Sequence, residues 1–184
     1  MAFFVFIDRD GTLIEEKNYL SDPDGVVMIP GSAQAICKLQ AAGAKVVVIS
    51  NQAGVGRGYF GVEVVHAIHQ RIQEMLQKEG CQIDAFYFCP HHPDDGCDCR
   101  KPRLGLFRRA AADFNMPLSG AMIGDNHSDI EAGVTAGLTT ILVRTGYGEK
   151  IAASDQPAPH HVAANLSAAA AWYIAHRTST LVQR

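Results

Sequence analysis

The sequence predicts an α/β fold, a Rossmann-like parallel sheet with helices on both faces, and three observations carry that expectation. Short apolar runs alternate with longer segments of helical periodicity, the order that a parallel sheet with crossover helices requires. The strand-like runs are apolar throughout rather than alternating, as for strands covered on both faces. Polar, loop-forming residues follow most predicted strand ends, at Asp8, Ser50 and Gly124-Asp125, and ligands bind beyond the carboxyl ends of the strands in such sheets.

The elements follow in order. Phe3 to Ile7 is a buried first strand. Ser32 to Ala42 is a helix that begins after Pro30-Gly31 and stops at Gly43, as glycine past the last turn predicts. Lys45 to Ile49, rich in β-branched residues, is the second strand. Val62 to Glu79 repeats apolar residues at helical spacing (Val65, Ile68, Ile72, Leu76) and ends at Gly80. Ile83 to Phe88 is a third strand ending at Cys89, and Leu106 to Phe114 a third helix. Ala121 to Ile123 and Thr140 to Val143 are further strands around a helix from Asp129 to Ala136. Lys150 to Pro159 is polar and contains Pro157 and Pro159, so it is expected to be a loop. His161 to Ala163 adds an edge strand and Leu166 to His176 a closing Ala-rich helix. The expectation is one domain over residues 1–184, with a Cys/His loop at 89–99, a C-terminal strand and helix within 160–177, and no separate cap domain.

Composition narrows the function. The net charge is −3, from 16 basic and 19 acidic residues, which gives no basic field to hold nucleic acid. A small molecule is the expected partner, met by a monomer. No apolar run approaches the ~20 residues that span a bilayer, and MAFFVFIDRDG lacks the charged start of a signal peptide. Five cysteines without an export signal favour a reducing cytoplasm over a disulfide framework.

The chemistry begins at DRDGT, Asp8 to Thr12. Asp8 at a strand end can attack a phosphoryl group, splitting hydrolysis into two displacements. Asp10 can protonate the leaving alkoxide and later deprotonate the attacking water. The motif alone is also an ordinary Asp/Gly turn, so three further features matter. Ser50-Asn51-Gln52 offers a hydroxyl and backbone N–H groups for phosphoryl oxygens. Lys101, in Arg100-Lys101-Pro102, can shield the attack of one anion on another. Asp125, in GDNHSD, completes an oxygen-rich Mg²⁺ site with Asp8 and the Asp10 carbonyl. Asp129 is expected to cap the following helix rather than to act beside these groups.

CPHHPDDGCDC supplies Cys89, His91, Cys97 and Cys99 in one loop. Four such ligands suit a closed tetrahedral Zn²⁺ site, which is structural because no position is left for water. His92 could compete with His91. Cys37 and Cys81 are expected to pack in the core. The loop leads directly into Arg100-Lys101, where a guanidinium fork could meet a second phosphate.

DxDGT, Ser50, Lys101 and GDxxxD occur in the order found in the haloacid dehalogenase (HAD) superfamily of phosphohydrolases, which the first four-fifths of the chain resembles. That resemblance implies Asp8 as nucleophile, Asp10 as general acid/base, Ser50 and Lys101 as phosphate ligands, and Asp125 as a Mg²⁺ ligand. The zinc loop followed by RKP is similar to two branches, the D-glycero-D-manno-heptose 1,7-bisphosphate 7-phosphatases and the histidinol-phosphate phosphatases. SNQAGVGRGYF resembles the TNQSG…RG pattern of the heptose branch. It keeps Asn51, Gln52, Gly54, Arg57 and Gly58 but has Ser50 and Ala53 where Thr and Ser are usual. The resemblance implies a phosphorylated-sugar substrate met by Asn51, Gln52, Arg57 and Arg100, in heptose synthesis for a bacterial surface polysaccharide. Five residues between His91 and Cys97 make a short loop of the kind also seen in the histidinol-phosphate branch, which stays the alternative substrate. A zinc-stabilised binding module without chemistry is the alternative of a different class. Glu15, Glu16 and Lys17, at the edge of the pocket, are expected to be solvated.

Overall fold

The computed structural model describes residues 2–152 and 158–182. Six parallel strands form one sheet: β1 (Phe3–Ile7), β2 (Ala44–Asn51), β3 (Ala85–Cys89), β4 (Gly120–Gly124), β5 (Thr139–Val143) and β6 (His161–Ala163). Their spatial order is β3-β2-β1-β4-β5-β6. The chain runs outward from β1 through β2 to β3, then returns to the other side of β1 and continues through β4 to β6. β1 is therefore central, and the direction of winding reverses between it and β4, which opens a crevice at their carboxyl ends.

The sequence FFVFI explains why β1 can be central. Its alternate side chains fill both layers, and all five residues are buried. Phe3, Val5 and Ile7 pack with α1 (Ser32–Ala41), α3 (Val62–Lys78) and α7 (Leu166–Val182). Phe4 and Phe6 face α4 (Gly105–Asp113) and α5 (His127–Thr135), where the Phe6 and Phe107 rings meet edge-on at 4.9 Å. Packing on both faces favours the continuous apolar strand over an alternating one. Ile7 is in register with Val48 on one side and Ile123 on the other, so Asp8, Asn51 and Asp125 emerge at one rim.

Several boundaries differ from expectation. β3 begins at Ala85 rather than Ile83 because both backbone polar groups of Ile83 are taken by the Gln73 side chain, at 2.9 and 3.1 Å. α5 begins at His127, two residues early, because Asn126 caps it in a capping box closed by Asp129. α7 runs beyond His176 because no glycine or proline stops it. Two short helices were not expected: α2 (Ala53–Gly56), and α6 (Gly148–Ile151), which takes Lys150 from the predicted loop. Residues 153–157 of that loop, Pro157 included, lie outside the described residues. Among the described residues no helix is long and apolar enough to cross a membrane, and one sheet is formed, with helices and turns as its connections. The segment after β1 folds back on itself through an Ile14–Met28 bridge, which sets residues 15–20 over the rim.

Candidate active site

The rim encloses a cavity of about 360 Å³, lined by Asp8, Asp10, Lys101 and Asp125 among others. Asp8 leaves β1 with its backbone N–H on the Ile123 carbonyl (3.0 Å), so β4 fixes where the carboxylate starts. Gly11, at φ 78°, then turns the chain sharply, and a Cβ there would overlap the Asp125 carboxylate. Asp125 is held from two sides, by the Tyr147 N–H at 2.8 Å and by the Thr12 hydroxyl at 3.3 Å.

Lys101 is the buried cation of the site. Its Nζ lies 2.8 Å from Asp8 Oδ1, 2.6 Å from Asp129 Oδ1 and 2.6 Å from the Ile49 carbonyl. The contacts to Asp8 and Ile49 are hydrogen bonds and the one to Asp129 is an ion pair. Burial works against that charge, but the Asp129 and Asp8 carboxylates outweigh it and hold the lysine pKa above its usual value. Asp129 therefore does two things. One oxygen closes the capping box on the Asn126 N–H at 3.0 Å, as expected, and the other pairs with Lys101, which was not.

Asp8, Asp125 and Asp129 bring one oxygen each within 4.8 Å of one another. Burial, with the neighbouring carboxylates, pushes Asp8 up to about 7 and Asp125 up to about 8. Three carboxylates against the single ammonium of Lys101 leave a deficit of two positive charges. When ionised, Asp10 is offset by its ion-pair partner Arg9. A divalent cation with hard oxygen ligands fits this deficit, and binding it would reverse the upward shifts. The oxygen set thus fits Mg²⁺.

The predicted substrate ligands are disposed differently from expectation. Asn51 spends its amide on the Lys101 backbone, accepting from the N–H at 3.0 Å and donating to the carbonyl at 3.1 Å. Gln52 turns to Asp10, Ser50 and Arg9. Ser50 is fully buried beneath it and does not line the cavity. Arg100 does line the cavity, whereas Arg57 is exposed at the end of α2, away from the lining. Residues that sequence reasoning did not assign also line the cavity, among them Arg9, Glu16 and Tyr147. Glu16 departs from the solvated reading. It is half-buried, accepts from the Asn18 N–H at 2.6 Å, and burial raises its pKa. Glu15 and Lys17 are exposed as expected.

Cys89, His91, Cys97 and Cys99 converge as the spacing predicts. Their ligand atoms lie within 4.8 Å of one another, with contacts of 3.1 to 3.5 Å between neighbours. A tetrahedron with bonds of about 2.0–2.3 Å has edges of roughly 3.3–3.8 Å, so the cluster is compatible with Zn²⁺ and slightly tighter than a filled shell. His92 is not a competitor. Its Nδ1 accepts from the Asp94 N–H and its own N–H donates to Asp95, capping the turn inside the loop. Cys81 is buried and Cys37 half-buried, and both pack against the core as expected. Gly56 of α2 lies against the His91–His92 backbone, where a Cβ would collide, and Arg103 donates to the Cys97 carbonyl. The loop is thus anchored at both ends beside Arg100-Lys101.

A parallel sheet covered on both faces, with buried carboxylates and one lysine gathered at its winding reversal, defines a HAD-class phosphohydrolase. A family model described as HAD-hydrolase-like matches residues 98–169. The D-glycero-beta-D-manno-heptose-1,7-bisphosphate 7-phosphatase of Bordetella bronchiseptica is 38% identical, over 90% of this chain and 94% of its own length. The D-glycero-D-manno-heptose-1,7-bisphosphate 7-phosphatase of Thermosynechococcus vestitus is 39% identical, over 94% and 95%. Among solved structures, the D,D-heptose 1,7-bisphosphate phosphatase from B. bronchiseptica, complexed with magnesium and phosphate, superposes with a TM-score of 0.87 at 36% identity, covering 95% of this chain and 99% of that one. The corresponding enzyme from Burkholderia thailandensis gives 0.69 at 32% identity, covering 94% and 98%. The chain belongs to the D-glycero-D-manno-heptose-1,7-bisphosphate 7-phosphatase family of HAD-like hydrolases.

Proposed function

We propose that this protein removes the 7-phosphate of D-glycero-D-manno-heptose 1,7-bisphosphate through a phosphoryl-Asp8 intermediate, as a step of nucleotide-activated heptose synthesis in the cytoplasm. The observation that carries the chemistry is the Asp8–Lys101–Asp129 chain at the mouth of β1, with Asp125 beside it. The substrate rests on the relatives, each named for this bisphosphate.

Asp8 attacks phosphorus as the carboxylate, and the bond from phosphorus to the sugar oxygen breaks. Asp10 gives its proton to that departing oxygen. Asp10, now ionised, takes a proton from water as the water oxygen attacks phosphorus and the phosphoryl–Asp8 bond breaks. Lys101, 2.8 Å from the Asp8 oxygen, is placed to offset charge on any phosphoryl group that Asp8 carries. Mg²⁺, which Asp8, Asp125 and the Asp10 carbonyl would hold, supplies electrostatic stabilisation to the transferring group. Cys89, His91, Cys97 and Cys99 would hold Zn²⁺, which would fix the loop structurally. Arg100 on the cavity wall suits the second phosphate, and the exposed Arg57 would reach substrate only from outside the cavity. The protein is proposed to act as a monomer.

The test is a comparison of phosphate release from the heptose bisphosphate, sugar monophosphates and histidinol phosphate, with the products read by phosphorus NMR. The expected result is selective loss of the 7-phosphate, dependent on Mg²⁺. A higher kcat/KM for histidinol phosphate would overturn the substrate.

A further inference from the structure

The proton carrier of this site does not hang freely over the cavity. Asp10 accepts from Arg9 Nε at 3.0 Å, from Arg9 Nη2 at 3.0 Å and from Gln52 Nε2 at 2.9 Å. Arg9 Nη2 also donates to Gln52 Oε1 at 2.9 Å, so the three side chains form a closed ring in which each holds the other two. Arg9 is almost wholly buried and Gln52 is buried, whereas Asp10 keeps part of its surface on the cavity. Gln52 Nε2 has a second acceptor, Ser50 Oγ at 3.3 Å, which ties the ring to β2. A buried guanidinium needs a charged partner, and among the described residues Asp10 is the carboxylate that forms an ion pair with Arg9. The Arg9 fork and the Gln52 amide together fix both the direction and the plane of the Asp10 carboxyl.

We propose that Gln52, braced by Arg9, is a positioning residue for Asp10: it aims the carboxyl at the leaving-group oxygen and does not itself bind substrate. The inference rests on the reading of Asp10 as the acid that protonates a sugar alkoxide, and it gives Gln52, which lines the cavity beside Asp10, a task exerted through that carboxyl. A sugar alkoxide is a poor leaving group and needs that proton, whereas p-nitrophenolate departs without it. The parameter kcat/KM covers the steps up to departure of the leaving group, so it isolates this use of Asp10 from its later use on water.

The test compares kcat/KM for the heptose bisphosphate and for p-nitrophenyl phosphate in the magnesium- and zinc-loaded enzyme. Gln52→Glu is close to isosteric. It keeps an acceptor for Arg9 but replaces the donor to Asp10 with an anion. Gln52→Ala removes the amide altogether. Both are expected to lose about 10- to 100-fold on the sugar substrate and less than about threefold on p-nitrophenyl phosphate, the range in which orienting partners act. Both should also show a burst of p-nitrophenolate, because the later proton transfer from water slows. Equal losses on the two substrates, or no loss on either, would overturn the proposal. Asp10→Asn is the control and should show the same split, more strongly. If Asp10→Asn loses both substrates equally, the acid assignment falls and this proposal with it. If Asp10→Asn splits and the Gln52 variants do not, only the positioning role is refuted.

Discussion

Asn51 shows how far a residue's task can lie from the one its position suggests. It lines the cavity, yet its amide is joined at both ends to the Lys101 backbone. It therefore sets the loop that carries the buried ammonium. Two hydrogen bonds of about 1 kcal/mol each are enough to shift where Nζ sits. Asn51→Ala is expected to lower kcat/KM about 10- to 100-fold, with zinc content unchanged, as steady-state kinetics beside elemental analysis would show. Asp8 and Asp125 were legible in the sequence because each follows a strand end, and the parallel order sends those ends to one rim; Lys101 was legible from its place after the Cys/His loop and before α4. The directions of the Asn51 and Gln52 side chains were not legible. Asn51 is the last paired residue of β2 and Gln52 follows it, and the partners of both, Lys101 and the Arg9–Asp10 pair, are distant in sequence. Arg9 was missed for a related reason, since an arginine in a turn motif ordinarily faces water. Glu16 was legible at the edge of the pocket, but its burial was not, because that depends on residues 15–20 folding over the rim.

The zinc loop illustrates the element scale. Ligand type and spacing alone located Cys89, His91, Cys97 and Cys99, because a short loop leaves few ways to bring four ligands together. What the spacing did not reveal was the seat of the loop: the α2 turn, whose Gly56 admits the His91–His92 backbone. The loop runs into Arg100-Lys101, so metal at one end is coupled to the ammonium at the other. Cys97→Ala is expected to drop zinc well below about one per chain and to lower both Tm and kcat/KM. Elemental analysis, thermal unfolding and kinetics check this together; full zinc content with unchanged activity would exclude the coupling. Of the elements, all six strands, the edge strand His161–Ala163 included, and the five longer helices were legible in the sequence. The misplaced boundaries trace to side chains that capture backbone groups, Gln73 on Ile83 and Asp129 on Asn126, which apolar patterning does not register.

Over the whole molecule, the winding reversal gathers the Asp8, Asp125 and Asp129 carboxylates at one rim of the sheet. Asp8 at about 7 and Asp125 at about 8 lie far above the ~4 of an unfolded aspartate. In the metal-free protein these raised groups bind protons that the unfolded chain has already lost. Their contribution to stability is therefore full below about pH 4 and lost as pH rises through 7 and 8. Mg²⁺ binds the ionised pair and should recover the loss, so saturating Mg²⁺ is expected to raise Tm more at pH 8 than at pH 6. Equal shifts at the two pH values would contradict the charge-deficit account. The same concentration of charge is what makes Asp8, pinned by β4 and paired with Lys101, the centre of the chemistry. The direct measurement is rapid acid quenching during turnover of the heptose bisphosphate, followed by mass spectrometry of the peptide that contains Asp8. The account predicts one phosphoryl group on Asp8, present during turnover and lost as substrate runs out, with no turnover in Asp8→Asn. An unmodified Asp8 throughout, together with full activity in Asp8→Asn, would contradict it.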